Sequence, residues 1–122
     1  MRVAFDLGVT ITAPAEARAM VSELDSDLDP DTCYDLRLVL SELVANAVKY
    51  GPGSSIHVEI EVDARDRVRG DVTDAGGASL TVPHIVENPG PNGGYGMRLV
   101  DAVASAWGVD EGATGVWFEL GG

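Results

Sequence analysis

Cysteine, basic residues and long apolar runs are scarce in this sequence, and each shortage excludes a class of protein. The single cysteine, Cys33, cannot form an internal disulfide, and no Cys/His spacing typical of a zinc site is present. Eight basic residues stand against 20 acidic ones, and the net charge of −12 would repel a nucleic acid backbone. No apolar run approaches membrane-spanning length, and the first residues carry no cleavage signature. We therefore expect a cytoplasmic protein that binds neither nucleic acid nor a membrane.

The residues that are present predict one domain over residues 1–122, with 45% hydrophobic content for a single core. Period-two alternation predicts strands in RVAFDLG at the N-terminus, in SIHVEIEVD and DRVRGDVTD further on, and in a closing hairpin, WGVDEGATGVWFEL. Helical spacing predicts a first helix from about Thr12 to near Asp25 and a second from an N-cap at Asp29 to Tyr50. A third helix is expected over MRLVDAVASAWG, ending at Gly108.

The order of these elements indicates the fold class. A strand, two helices, two strands, a helix and two strands predict a two-layer α+β sandwich. We expect a mixed, mostly antiparallel sheet of about five strands, covered on one face by the three helices. Residues 75–96 hold most of the glycine and proline and lack a sustained period, which predicts a long loop or lid.

The second helix carries an acid and an amide one turn apart, Glu42 and Asn46, in the stretch LVLSELVANAVKYG. At 100° per residue, Glu42, Asn46 and Lys49 form a polar stripe with apolar residues on both sides. A solvated helix face is the ordinary interpretation of such a stripe. Its few charges, and the lack of a basic residue four positions after Glu42, favour instead a stripe that lines a cavity.

A second unusual position is Asp74, at the end of the third strand. Continuing the alternation of Val68, Gly70 and Val72 places Asp74 on the side of the sheet under the helices, where an unpaired carboxylate is costly. It then needs a partner. The alternative is a turn-forming aspartate before AGG, and the local pattern leaves both interpretations open. The adjacent Gly76 would let a planar ligand approach closely.

A third signal is GGYGMRLV, in which glycines lead directly into the third helix. Backbone amides at a helix N-terminus, free of side-chain bulk, form a site suited to phosphates. Taken alone, the stretch favours a flexible connector.

Together, ELVAN on a helix, DAGG at a strand end and GGYG opening a helix resemble the N, G1 and G2 boxes of the GHKL superfamily of ATPases and kinases. The chain is most similar to short bacterial anti-sigma factors with serine/threonine kinase activity, whose sequences resemble LVLSELVANAVKYG, GYGMRLVDAVASAWGV and the GVWFEL ending. The resemblance covers nearly the whole chain and implies the histidine-kinase-type ATPase fold.

The resemblance also implies a role for each matching residue. Glu42 would serve as the catalytic base or position the attacking hydroxyl, and Asn46 would coordinate Mg²⁺ on the phosphates of ATP. Asp74 would hydrogen-bond the adenine amine, with Gly76 against the base. Gly94 and Gly96 would hold phosphates through their backbone amides. Lys49 would help to neutralise phosphate, although its position favours a solvated helix end.

Two departures from the family pattern bear on catalysis. Ala78 stands where the G1 motif has a second glycine, and no Lys or Arg lies between Asp74 and the G2 glycines. Arg98 would substitute for that missing cation if the start of the third helix presents it. Because phosphoryl transfer depends on positioning and charge stabilisation, these departures favour nucleotide binding over rapid turnover.

The resemblance implies an ATP-binding kinase that sequesters a sigma factor and phosphorylates an antagonist, an anti-anti-sigma protein. It also implies a homodimer, since related anti-sigma kinases work as dimers. The competing interpretation is a catalytically silent nucleotide-binding module that acts through protein contacts. A sensor histidine kinase domain fits less well, because no phosphoacceptor helix pair precedes the domain in this sequence.

Overall fold

The computed structural model describes residues 1–50, 55–75, 95–109 and 115–121 of the chain. Its elements are β1 (Arg2–Gly8), α1 (Ala13–Met20), a short 3₁₀ helix (Val21–Leu24), α2 (Pro30–Tyr50), β2 (Ser55–Val62), β3 (Val68–Ala75), α3 (Tyr95–Val103), β4 (Ala106–Val109) and β5 (Gly115–Leu120). This is the predicted order. The lid expected at 75–96 lies outside the described residues except for its ends, which belong to β3 and α3. That residues 1–122 form a single domain stays a prediction.

The strands form one open sheet in the order β1-β2-β3-β5-β4. Each strand pair within the described residues is antiparallel. In the centre of the sheet, Val72 lies opposite Val58 on one side and Val116 on the other. The predicted α+β sandwich is therefore confirmed, with β3 in the middle of the sheet.

One side of the sheet packs against the helices because apolar and polar residues alternate along each strand. The buried strand residues are Val3, Phe5, Leu7, Ile56, Val58, Ile60, Val62, Val68, Val72, Val116, Phe118 and Leu120. From α2, the buried residues are Cys33, Leu36, Val39, Leu40, Leu43 and Val44. Each large side chain buried there contributes about 1.5–3 kcal/mol of transfer free energy. None of the helices in the described part of the chain combines enough length with enough apolar character to cross a membrane.

A glycine at position 70 makes room for an aromatic ring in this core. Gly70 lies opposite Phe118 in the β3–β5 register. A Cβ atom at position 70 would overlap the Phe118 ring and come within 2.9 Å of Cδ1 of Ile60. Phe118 itself is fully buried. The missing side chain thus lets the ring pack closely against the central strand.

The prediction that the third helix ends at Gly108 is wrong, because α3 ends at Val103 and Trp107 belongs to β4. Ala104 N donates the last helical hydrogen bond to Val100 O at 2.8 Å, and Ser105 N already donates to Glu119 O of β5 at 2.9 Å. Val103 and Trp107 are four residues apart, which matches helical spacing. Residues 106–109 nevertheless pair with β5 and do not continue the helix.

The only cysteine is enclosed where the 3₁₀ helix leads into α2. Cys33 is 7% exposed, and its Sγ lies 3.8 Å from Leu28 O and 3.9 Å from Asp25 O. Burial, together with the nearby Asp25 carboxylate, raises the pKa of this thiol. Cys33 is therefore a core residue held in its neutral form.

Candidate functional site

The helix α2 positions the predicted acid and amide. Asp29 caps its N-terminus, accepting hydrogen bonds from Thr32 N at 2.7 Å and from Thr32 Oγ1 at 3.1 Å. The same contacts, led by the backbone bond from Thr32, lower the pKa of Asp29, so the cap is ionised and complements the helix dipole. The predicted N-cap is confirmed, and it fixes the start of the helix that carries Glu42 and Asn46.

Glu42 and Asn46 are both half-buried, whereas Lys49, one turn further on, is exposed. Leu43 and Val44, which lie between Glu42 and Asn46 in sequence, are buried in the core. Glu42 and Asn46, in the polar stripe, are thus neither buried in the core nor fully exposed to solvent. Two oxygen-bearing side chains one turn apart are held on a rigid helix at the margin of the core.

Asp74 lies in β3, opposite the fully buried Ile56 and two residues after Val72. Position 74 therefore occupies the helix-covered side of the sheet, as the sequence alternation predicts. The side chain of Asp74, Gly76 and the partner expected for this carboxylate lie outside what the structure describes.

The third motif lies at the start of α3. Gly96 is in the first turn of this helix, and Arg98 follows as an exposed residue. Gly94 lies outside the described residues. Val100, one turn further, is fully buried and fixes α3 on the core.

The structure brings the three motif-bearing elements together, because α2 contacts both α3 and β3. The helix with the acid and amide thus packs against both the strand that carries position 74 and the helix that carries Gly96. Within the described residues, no three His, Cys, Asp or Glu side chains are grouped to hold a metal ion. The metal-ligand role that the resemblance implies for the amide oxygen of Asn46 stays a prediction.

Sequence reasoning missed a cross-helix contact next to this site. Arg18 of α1 donates a hydrogen bond to Oγ of Ser41 of α2, the residue before Glu42. Arg37, on the same helix, pairs with Asp25. Such long-range pairs have no signature in sequence spacing, because the partners are more than ten positions apart.

His57 of β2 lies between two carboxylates. Its Nδ1 lies 2.8 Å from Asp6 Oδ1, and its Nε2 lies 3.1 Å from Glu59 Oε1. These hydrogen bonds, with Glu59 the larger cause, raise the pKa of His57. Arg2 also pairs with Glu59, at 2.8 Å. His57 thus belongs to a charged network on the side of the sheet that faces away from α2. The other histidine, His84, lies outside the described residues.

The family model described as the histidine kinase-like ATPase domain matches residues 9–120. Among solved structures, the crystal structure of the RsbU and RsbW domains of Rv1364c from Mycobacterium tuberculosis is similar, with a TM-score of 0.69 and 24% sequence identity. The match covers 98% of this chain and 31% of that chain. At that identity, it shows the fold alone. No curated protein matches the chain significantly.

Proposed function

The chain belongs to the histidine kinase-like ATPase domain family, and from this premise we propose that it is an ATP-dependent serine/threonine protein kinase acting as an anti-sigma factor. Membership of an ATPase domain family implies ATP binding. The observation that carries the proposal further is the half-buried pair of Glu42 and Asn46, one turn apart on the capped helix α2.

Asn46 fits the role of magnesium ligand. Mg²⁺ prefers oxygen ligands, keeps several waters and is commonly bound through one or two protein groups together with substrate phosphates. An amide oxygen on a rigid helix supplies such a ligand without adding negative charge beside the phosphates. Bound there, the ion would neutralise charge that develops during phosphoryl transfer.

Glu42 fits the role of proton acceptor. Its carboxylate would take the proton of a serine or threonine hydroxyl as the hydroxyl oxygen bonds to the γ-phosphorus of ATP. The bond between that phosphorus and the β,γ-bridging oxygen breaks, and ADP leaves. Asp74 would hydrogen-bond the adenine amine with Gly76 against the base. Gly94 and Gly96 would hold phosphates through backbone amides at the start of α3.

Lys49 and Arg98 are the two cations of the proposed site. Each is exposed, at the end of α2 and in the first part of α3 respectively. Both would add positive charge near the phosphates, which matters because residues 75–96 contain no Lys or Arg.

The proposed protein partners are a sigma factor, which the chain would sequester, and an anti-anti-sigma antagonist, which it would phosphorylate. The resemblance of its motifs to anti-sigma kinases supports this, and the similar fold of a structure that contains an RsbW domain agrees with it. The silent nucleotide-binding module is the second candidate. The observations that favour it are Ala78 in place of a G1 glycine and the absence of a basic residue from 75–96.

Calorimetric titration with ATP, with and without Mg²⁺, tests the nucleotide site. We expect magnesium-dependent binding by the unaltered chain and its loss in Asn46→Ala. Tyr34→Ala is the matched control, because Tyr34 is 67% exposed on the same helix, three turns before Asn46. Magnesium-dependent binding that survives in Asn46→Ala would refute the ligand assignment. Binding of ATP without phosphorylation of any candidate antagonist would favour the silent module.

A further inference from the structure

Both ring nitrogens of His57 face carboxylate oxygens. Nδ1 lies 2.8 Å from Oδ1 of Asp6 on β1, and Nε2 lies 3.1 Å from Oε1 of Glu59 on β2. An ionised carboxylate accepts hydrogen bonds and donates none. A neutral imidazole has one N–H group, so it can donate to only one of these carboxylates, whereas the imidazolium form donates to both. The arrangement therefore fits a ring that carries two protons.

The contact between His57 and Asp6 joins two strands. The two residues lie directly opposite each other in the β1–β2 register. At the end of the same ladder, Met1 and Val62 exchange backbone hydrogen bonds at 3.0 and 2.8 Å. Hydrogen-bonded and non-hydrogen-bonded pairs alternate along an antiparallel ladder, so Asp6 and His57 form a non-hydrogen-bonded pair, in which side chains approach closely. Their side-chain contact thus joins β1 to β2 at a position where the backbones exchange no hydrogen bond.

The strand β1 is the one that depends on this contact. It lies at an edge of the sheet and pairs only with β2 among the strands that the structure describes, whereas β2, β3 and β5 each have a neighbour on both sides. Peripheral elements open locally at a lower free energy than the whole protein unfolds. Loss of a contact between β1 and β2 should therefore appear as more frequent opening of β1.

The charges on β1 and β2 determine which contact needs the second proton. Glu59 also pairs with Arg2 at 2.8 Å, so it keeps a cationic partner when His57 is neutral. Within the described residues, His57 is the one hydrogen-bond donor to the carboxylate of Asp6. The link to β1 is therefore the contact that deprotonation of the ring weakens.

On the other side of β2, the strand β3 adds no basic group directly opposite the ring. Thr73 lies opposite His57, and Asp71 lies opposite Glu59. One pair further along, Arg69 lies opposite Glu61. The side chain of His57 is 37% exposed, so the ring can exchange a proton with solvent while the sheet stays folded.

We propose that His57 is a pH-sensitive switch for the edge strand β1: the imidazolium ring holds β1 through Asp6, and the neutral ring lets β1 open more often. The hydrogen bonds to Glu59 and Asp6 raise the pKa of His57 above its usual 6.5. The hold on β1 is thus complete below pH 6.5 and is lost as pH rises through the higher folded value. Because this side of the sheet faces away from α2, the switch goes beyond the proposed kinase function and does not depend on it.

Hydrogen exchange of the backbone amides of Phe5 and Leu7 tests the proposal, because these residues pair with β2 on either side of Asp6. Measured from about pH 5.5 to 8.5 and corrected for intrinsic exchange rates, their protection should fall roughly two- to fivefold, the range for one exposed ion pair. An NMR titration of the His57 ring should have the same midpoint. The amide of Ser105, which donates to Glu119 O at the opposite edge of the sheet, should keep its protection.

Variants separate the switch from other effects of pH. His57→Gln and Asp6→Asn should each remove the pH dependence at Phe5 and Leu7, because neither retains a charged pair between the strands. Glu61→Gln is the matched control. It removes a carboxylate from the same side of β2, four residues from His57, and should leave the pH dependence in place.

Three results would overturn the proposal. One is protection at Phe5 and Leu7 that does not change with pH in the unaltered chain. Another is an equal loss of protection at Ser105, which would mean that the whole protein, and not β1, opens more often. The third is a pH dependence that survives in both His57→Gln and Asp6→Asn. If one variant fails to fold, the other variant and the comparison of Phe5 with Ser105 still decide.

Discussion

Trp107 of β4 donates the indole Nε1 hydrogen to Oδ1 of Asp101 of α3, at 2.9 Å. Asp101 lies in the last turn of α3, where the helix dipole disfavours a negative charge. The hydrogen bond offsets that disadvantage and joins the end of the helix to the sheet. Since the start of α3 carries the phosphate-binding glycine of the proposed site, this contact also fixes the helix on which that glycine depends.

Removing the acceptor from this contact should destabilise the protein modestly. We expect Asp101→Ala to lower the free energy of unfolding by about 0.5–1.5 kcal/mol, the typical net value of one hydrogen bond. Asp101→Asn keeps an acceptor oxygen and removes the charge that opposes the dipole, so its stability should equal or exceed that of the unaltered chain. Urea denaturation of the three proteins measures the difference. Equal losses in both variants would mean that charge, and not the hydrogen bond, is what matters.

Two substitutions should separate binding from catalysis at the proposed site. Asp74→Asn should weaken ATP binding by roughly tenfold or more, because it replaces the charged acceptor proposed for the adenine amine with a weaker, neutral one. Glu42→Gln should leave binding near normal and lower phosphorylation of a cognate antagonist by a factor of about 100 to 10,000. Calorimetry and transfer of labelled phosphate measure the two effects. Unchanged ATP affinity in Asp74→Asn would refute the adenine assignment.

The close packing of Phe118 on Gly70 predicts a large effect from a small substitution. Gly70→Ala should lower the free energy of unfolding by about 1–3 kcal/mol, because the added methyl group forces the buried ring to shift. Gly8→Ala is the matched control, since a Cβ at position 8 meets its nearest atom, Thr10 Cγ2, at an ordinary 3.7 Å. Thermal unfolding followed by circular dichroism compares the two. A loss no greater than that of the control would contradict the packing argument.

The histidine between two carboxylates predicts a dependence of stability on pH. The folded state raises the pKa of His57 above its usual 6.5 through hydrogen bonds to Glu59 and Asp6. Its contribution to folding is therefore fully present below pH 6.5 and is lost as pH rises through the higher folded value. His57→Gln should flatten the unfolding free energy across this window, and His84→Gln controls for the other histidine. A slope that persists in His57→Gln would assign it to another group.

Much of the fold was predictable because its strands alternate regularly and its long helix has a clear start. The alternation along β2 predicted the residues that face the helices, namely Val58, Ile60 and Val62. Asp29 marked the beginning of α2. The end of α3 was not predictable from spacing. Trp107 fits a helix by periodicity, and its place in β4 depends on pairing with residues of β5 that lie about ten positions later.

The candidate site was predictable at the level of elements. Glu42 and Asn46 are on one helix, and position 74 occupies the helix-covered side of β3, as their patterns indicated. The contacts of His57 were not predictable, because Asp6 is 51 residues away and reaches His57 through the β1–β2 register. Local spacing identifies residues of one element, whereas cross-strand partners depend on how the sheet is assembled.

The enclosed thiol of Cys33 is a natural probe for the rate at which the surrounding segment opens. It is the only cysteine, and its Sγ lies behind the segment that joins the 3₁₀ helix to α2. A water-soluble thiol reagent labels it when that segment opens. The dependence of the labelling rate on denaturant concentration therefore distinguishes local opening of this junction from global unfolding. The measurement needs no probe added to the native sequence.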